Sequence, residues 1–271
     1  MANKTKKQSG KAALKAARAS VVSKKGPPWG LIGAIVAVVL IAGGVFGYAF
    51  MEINSVKEFT VSEENKDPSD NIDGVVKVNY EGLQHVNPDQ RVAYDQNPPF
   101  GGPHDGVWAD CTGVVYPVPV RNESMVHALE HGSVWIAYNP DRVSGPALDT
   151  LKSKVEGQPY MMLSPYPGLD RPFALQSWGH QLKLDDVNDE RVDQFIRSLR
   201  SNRFQNPEPG GRCDSNGTGF DPANPPPFAA EAPGPDAIKM DGSNLAPPQT
   251  SAPQPSGEAP ATTTTAPPAS Q

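Results

Sequence analysis

Asn122-Glu123-Ser124-Met125-Val126-His127-Ala128-Leu129-Glu130-His131-Gly132-Ser133-Val134-Trp135-Ile136-Ala137-Tyr138 holds a helix, a stop and a strand in succession. Asn122-Glu123-Ser124 can cap a helix running to His131, and Gly132 ends it where a left-handed residue is wanted. Ser133 to Tyr138 then reads as a buried strand. Downstream, Ser144 to Val155 is a short helix with Leu148, Leu151 and Val155 on one face, closed by Gly157. Tyr160-Met161-Met162-Leu163 is a strand, Tyr166-Pro167-Gly168-Leu169 a turn, and Phe173 to Leu184 a longer strand broken at Gly179. The last helix is capped by Asn188 and buries Val192, Phe195, Ile196 and Leu199 at helical spacing. Upstream, Val75-Val76-Lys77-Val78-Asn79-Tyr80 alternates as a strand, and the prolines and glycines of Asn97-Pro98-Pro99-Phe100-Gly101-Gly102-Pro103-His104 impose a rigid loop.

This order predicts an α/β or α+β domain, a small mixed sheet with packed helices. Its helix–strand–strand–helix close resembles the end of a thioredoxin-like fold, but no Cys-x-x-Cys exists to imply thioredoxin-type activity.

From Leu31 to Met51 there is no charged residue. Some 21 helical residues reach about 30 Å, the thickness of a bilayer's hydrocarbon core. Trp29 and Tyr48 stand where interfacial aromatics are expected. Gly47-Tyr48-Ala49-Phe50-Met51 is a poor signal-peptidase site, so the segment reads as an uncleaved anchor in the lipid bilayer. Lys4, Lys6, Lys7, Lys11, Lys15, Arg18, Lys24 and Lys25 precede it without an acid, which puts the N-terminus in the cytoplasm and the rest outside the cell membrane. The formal net charge is −6, so everything after the basic leader is acidic, a balance that argues against nucleic-acid binding by the body. The chain divides into a basic tail (1–28), a transmembrane helix (29–51), an acidic tether (52–73), an exported globular domain (74–220) and a disordered Pro/Ala/Thr-rich tail (221–271).

Cys111 and Cys213 are the two cysteines, both in the exported part where oxidation is permitted. A disulfide would close a loop of about 100 residues and add up to about 4–5 kcal/mol in the chain-entropy treatment. A pair of metal thiolates or a redox couple is the alternative.

Five histidines are present: His85, His104, His127, His131 and His180. On a helix, His127 and His131 share a face, Glu123 extends their stripe, and Glu130 sits beside it. Imidazoles four residues apart suit zinc or copper. His104, on the rigid loop, is the first choice for a third ligand, with His180 second. The spacing His127-x-x-Glu130-His131 also matches a zinc-peptidase motif in which Glu130 would be the base. The bland alternative has the histidines pinning the Pro/Gly loop to the helix. Met161 and Met162 are expected in the core.

The proline loop 98–104, Val126-His127-Ala128-Leu129-Glu130-His131-Gly132, Leu163-Ser164-Pro165-Tyr166-Pro167-Gly168-Leu169, Trp178-Gly179 and Pro207-Glu208-Pro209-Gly210 occur in this order. Together they resemble an uncharacterised bacterial family of actinobacterial type, domain-of-unknown-function family 3105. The resemblance covers roughly residues 75–215 and implies the layout of basic tail, single span and exported domain. It singles out His104, His127, Glu130 and His131 without assigning them a role. The expected function is an envelope-anchored accessory protein that binds copper or zinc through His104, His127 and His131. A non-enzymatic scaffold for another envelope protein comes second, and a zinc-dependent hydrolase third.

Overall fold

The structure, a computed structural model, describes residues 27–81 and 83–245. The expected basic tail and the end of the C-terminal tail lie outside the described residues, save for Pro27 and Pro28. The chain forms two compact units, Met1–Glu58 and Phe59–Gln271. The first holds α1 (Trp29–Glu58). Its Trp29–Phe50 part, with mean hydropathy 2.5, is long and apolar enough to cross a membrane by length and composition.

The second unit is a mixed α+β domain. Its elements in chain order are β1 (Val76–Lys77), β2 (His85–Val86), β3 (His104–Asp105), β4 (Thr112–Val115), α2 (Asn122–Glu130), β5 (Val134–Tyr138), α3 (Gly145–Val155), β6 (Met161–Pro165), β7 (Phe173–Ser177), β8 (His180–Leu184) and α4 (Arg191–Leu199). Six strands form one sheet in the order β1-β8-β7-β5-β6-β4. β6 runs parallel to both β5 and β4, and the other neighbours are antiparallel. The β5–β6 pair requires a crossover, which α3 supplies. β7 and β8 form a hairpin across Trp178-Gly179, the break expected within Phe173–Leu184.

Both faces of the sheet are covered, which is why β5 reads as an unbroken apolar run. Trp135 and Ala137 face a core shared with Met125, Val126 and Leu129 of α2, with Phe100 of the proline loop, and with Met162. Val134 and Ile136 face the opposite core, with Leu151 and Val155 of α3, Val192, Phe195 and Leu199 of α4, and Met161. The tandem methionines therefore point to opposite faces, as strand alternation demands.

Four boundaries differ from expectation. The segment read as a tether contributes Phe59 and Ile72 to the second core, and Asp67 accepts from Lys77 Nζ at 2.6 Å, so the fold starts before residue 74. Residues 221–245, placed by composition in the tail, lie along the domain: Ile238 bonds to the backbone of Arg91, and Val86, Val92 and Ile238 form a small core of their own. Isolated apolar residues without periodicity gave no signal of this. α2 follows Arg121 and α4 follows Glu190, neither with a side-chain cap. At α4, Asp189 rather than Asn188 accepts from the Arg191 N–H, at 2.9 Å.

Candidate metal centre

α2 is buried on nearly all sides, and its C-terminal end aims two imidazoles inward. Gly132, at φ 95°, terminates it: the Gly132 N–H bonds Leu129 O at 2.9 Å and the Ser133 N–H bonds Ala128 O at 3.2 Å. The proline loop delivers His104 on β3, which pairs with β2 so that His85 stands beside His104. The segment after α4 returns over the end of α2, where the Glu208 N–H donates to Glu130 O at 3.1 Å. The Cys111–Cys213 disulfide, with Cα atoms 4.7 Å apart, ties down the far end of that segment.

Three imidazoles are held in the same way. His104 Nδ1 donates to Gly102 O at 2.9 Å, His127 Nδ1 to Asp105 O, and His131 Nδ1 to Arg212 O at 2.8 Å. A carbonyl oxygen can only accept, so each Nδ1 carries a proton and Nε2 is the nitrogen each ring has left to offer a metal. His127 Nε2 and His131 Nε2 lie 3.1 Å apart. His104 Nε2 faces Glu130 Oε2 at 2.9 Å. His127 Nε2 is 3.9 Å from Glu130 Oε2, and His131 Nε2 is 3.3 Å from Glu208 Oε2.

Burial, reinforced by the neighbouring His104, drives the His127 pKa down to about 3. Burial likewise lowers His131 and His85. For Glu130 burial opposes ionisation, but the surrounding His104, His127 and His85 outweigh it and hold the carboxyl below its usual range. Burial thus favours neutral rings at His85, His127 and His131 beside an ionised Glu130, the protonation state in which imidazole and carboxylate ligate metal. Two ligands about 2.0–2.1 Å from a tetrahedral ion stand about 3.3–3.4 Å apart, close to the spacings between these atoms.

Two overlapping groups have ligand atoms within 4.8 Å of one another: His85, His104, His127 and Glu130, and His127, His131 and Glu208. The three expected ligands His104, His127 and His131 are thus brought together, but distributed over two sets that share His127. Glu123 is not among them, because its carboxylate accepts from the Val92 N–H at 3.0 Å and faces Arg121 Nε at 3.3 Å. His180 is also elsewhere. Its Nδ1 donates to Trp178 O at 2.6 Å and its Nε2 faces Asp67 Oδ2 at 3.2 Å, which leaves no nitrogen for a metal.

Sequence reasoning missed His85, Glu208 and the tryptophans that pack the cluster. His85 stacks on His127 with ring centroids 4.9 Å apart. Trp108 lies 5.3 Å from His127 and 4.9 Å from His131, and Trp178 lies 5.8 Å from His104. Pro207-Glu208-Pro209-Gly210 was visible as a motif, and that was the available signal for Glu208.

Fold and site define a mixed α+β domain with a buried His/Glu cluster, in a chain that also carries an apolar helix earlier in its sequence. Residues 85–215 match the family described as protein of unknown function (DUF3105). The matched segment runs from His85 to just beyond Cys213, so it contains every residue of the cluster and both cysteines. No curated protein and no solved structure matches the chain.

Proposed function

We propose that the domain binds a transition-metal ion, zinc or copper, and that the protein is an accessory factor anchored in a bacterial envelope by Trp29–Phe50 with its domain outside the cytoplasm. The carrying observation is that His104, His127 and His131 each spend Nδ1 on a backbone carbonyl and turn Nε2 into one cluster. Protein-bound imidazoles are oriented for metals in this way. Burial disfavours protonation of His127 and His131, so without a cation their Nε2 lone pairs face each other at 3.1 Å, which is repulsive. The donor set is nitrogen and oxygen, which suits Zn(II) or Cu(II) better than Cu(I). The disulfide supports an oxidising compartment for the domain. The hydrolase reading loses ground because Glu130 stands among the ligands, where a general base would be spent on the ion.

The test is elemental analysis of the full chain in detergent after exposure to Zn(II) or Cu(II) and desalting, beside the His127→Ala protein. About one ion per chain, lost in the variant, is the expected result. A wild-type chain that retains no metal overturns the proposal and leaves the histidines as a clamp on the proline loop.

A further inference from the structure

The two ligand sets share His127 and nothing else. Because its Nδ1 is committed to Asp105 O, His127 has one metal-binding atom and serves one ion at a time. Around that Nε2 the ligands fall into two sets, His85, His104 and Glu130 in one and His131 and Glu208 in the other. The centre is closed, with His104 fully buried and His127 and His131 3% exposed. Each set carries one solvent-exposed residue, His85 in the first and Glu208 in the second.

Resting on the metal-binding reading above, we propose that the centre offers a single transition-metal ion two alternative positions, exchanged by ligand substitution about His127. The inner position has three nitrogens and one carboxylate oxygen, from His85, His104, His127 and Glu130. The outer has two nitrogens and one carboxylate oxygen, from His127, His131 and Glu208, and is completed by water. The ion keeps its bond to His127 while the donors of one set replace those of the other, so no proton or electron changes place. Such a centre passes an ion between a set reached at His85 and a set reached at Glu208 without returning it to bulk water, whereas a single closed site only holds it.

The experiment adds one equivalent of Cu(II) to the full chain in detergent and reads the frozen solution by electron paramagnetic resonance. Two species are expected, one with three coupled nitrogens and one with two. His104→Ala keeps only an outer species and His131→Ala only an inner one, each with about one copper bound. Glu208→Gln, at an exposed side chain, shifts the ratio several-fold toward the inner species. A single wild-type species, or loss of all copper from either histidine variant while circular dichroism shows it folded, overturns the two-position centre. If a histidine variant unfolds, an unchanged ratio in Glu208→Gln overturns it and a shifted ratio upholds it. A wild-type chain that binds no copper or zinc fails the metal-binding reading itself, and is thereby distinguished from one that binds copper in a single position.

Discussion

Gly211→Ala tests whether the His131 ring is held as tightly as the site requires. A Cβ at Gly211 would stand 2.6 Å from Cγ and Cδ2 of His131. Carbon atoms in ordinary contact are about 3.5–4.0 Å apart. The ring has little room to retreat, because Trp108 faces it at 4.9 Å and its Nδ1 is bonded to Arg212 O on the next residue. The backbone at Gly211 is also fixed, its N–H donating to Glu208 O at 3.0 Å. Overfilling a fitted interior costs about 1–3 kcal/mol. At about 2–4 °C per kcal/mol for a domain of this size, Tm should fall by about 2–12 °C. If the ring escapes by breaking its bond to Arg212, metal affinity should fall about 10–100-fold, the usual effect of losing such an orienting partner. Thermal unfolding by circular dichroism and competition with a chromophoric chelator, both on the full chain, read the two effects. A variant within about 0.5 kcal/mol of wild type, the range of an inert surface change, and with unaltered affinity would refute the packing argument.

Asp67 should make stability acid-sensitive. Burial opposes its ionisation, but His180, Lys77 and Ser69 outweigh burial and hold its pKa far below the usual carboxylate range. A folded-state pKa below the unfolded value contributes stability that is present above about pH 4 and lost as pH falls further. Asp67→Asn should therefore melt below wild type at pH 7, with the gap narrowing in acid; a gap independent of pH would contradict this. Trp135 Nε1 donates to Ser164 Oγ at 2.9 Å inside the core, so Ser164→Ala should cost about 1–3 kcal/mol in urea unfolding, and a neutral result would mean another acceptor takes over. Reducing the Cys111–Cys213 bridge, which spans 102 residues, should cost about 4–5 kcal/mol and speed metal loss, since it frees the segment bearing Glu208 and Arg212 O. Equal metal off-rates with and without reductant would separate the bridge from the site.

The elements with strong local punctuation were legible from residue types. α2 and β5 follow from the Gly132 stop between a polar start and an apolar run, and α4 follows from the spacing of Val192, Phe195 and Leu199. His127 and His131 were legible because helical geometry puts residues four apart on one face. His104 was placed by the stiffness of its loop. His85 and Glu208 were not legible, since each joins the cluster through contacts between segments far apart in the chain. Glu123 looked equivalent to His127 by spacing, but Val92 and Arg121, brought in by other segments, captured it. His180 sits beside a motif tryptophan, yet Asp67, from a segment that composition marked as a linker, took its free nitrogen.

The position of the disulfide bears on how the chain responds to proteolysis. The covalent ring from Cys111 to Cys213 encloses β4 through α4 and the segment carrying Glu208, that is, most of the domain. A single peptide-bond cleavage anywhere inside that ring leaves one molecule, and the nicked form separates into fragments on a gel only after reduction. A cut between Phe59 and Cys111 behaves differently. It severs the ring and both ends of α2 from the apolar helix, and His85 or His104 goes with one piece or the other according to where the cut falls.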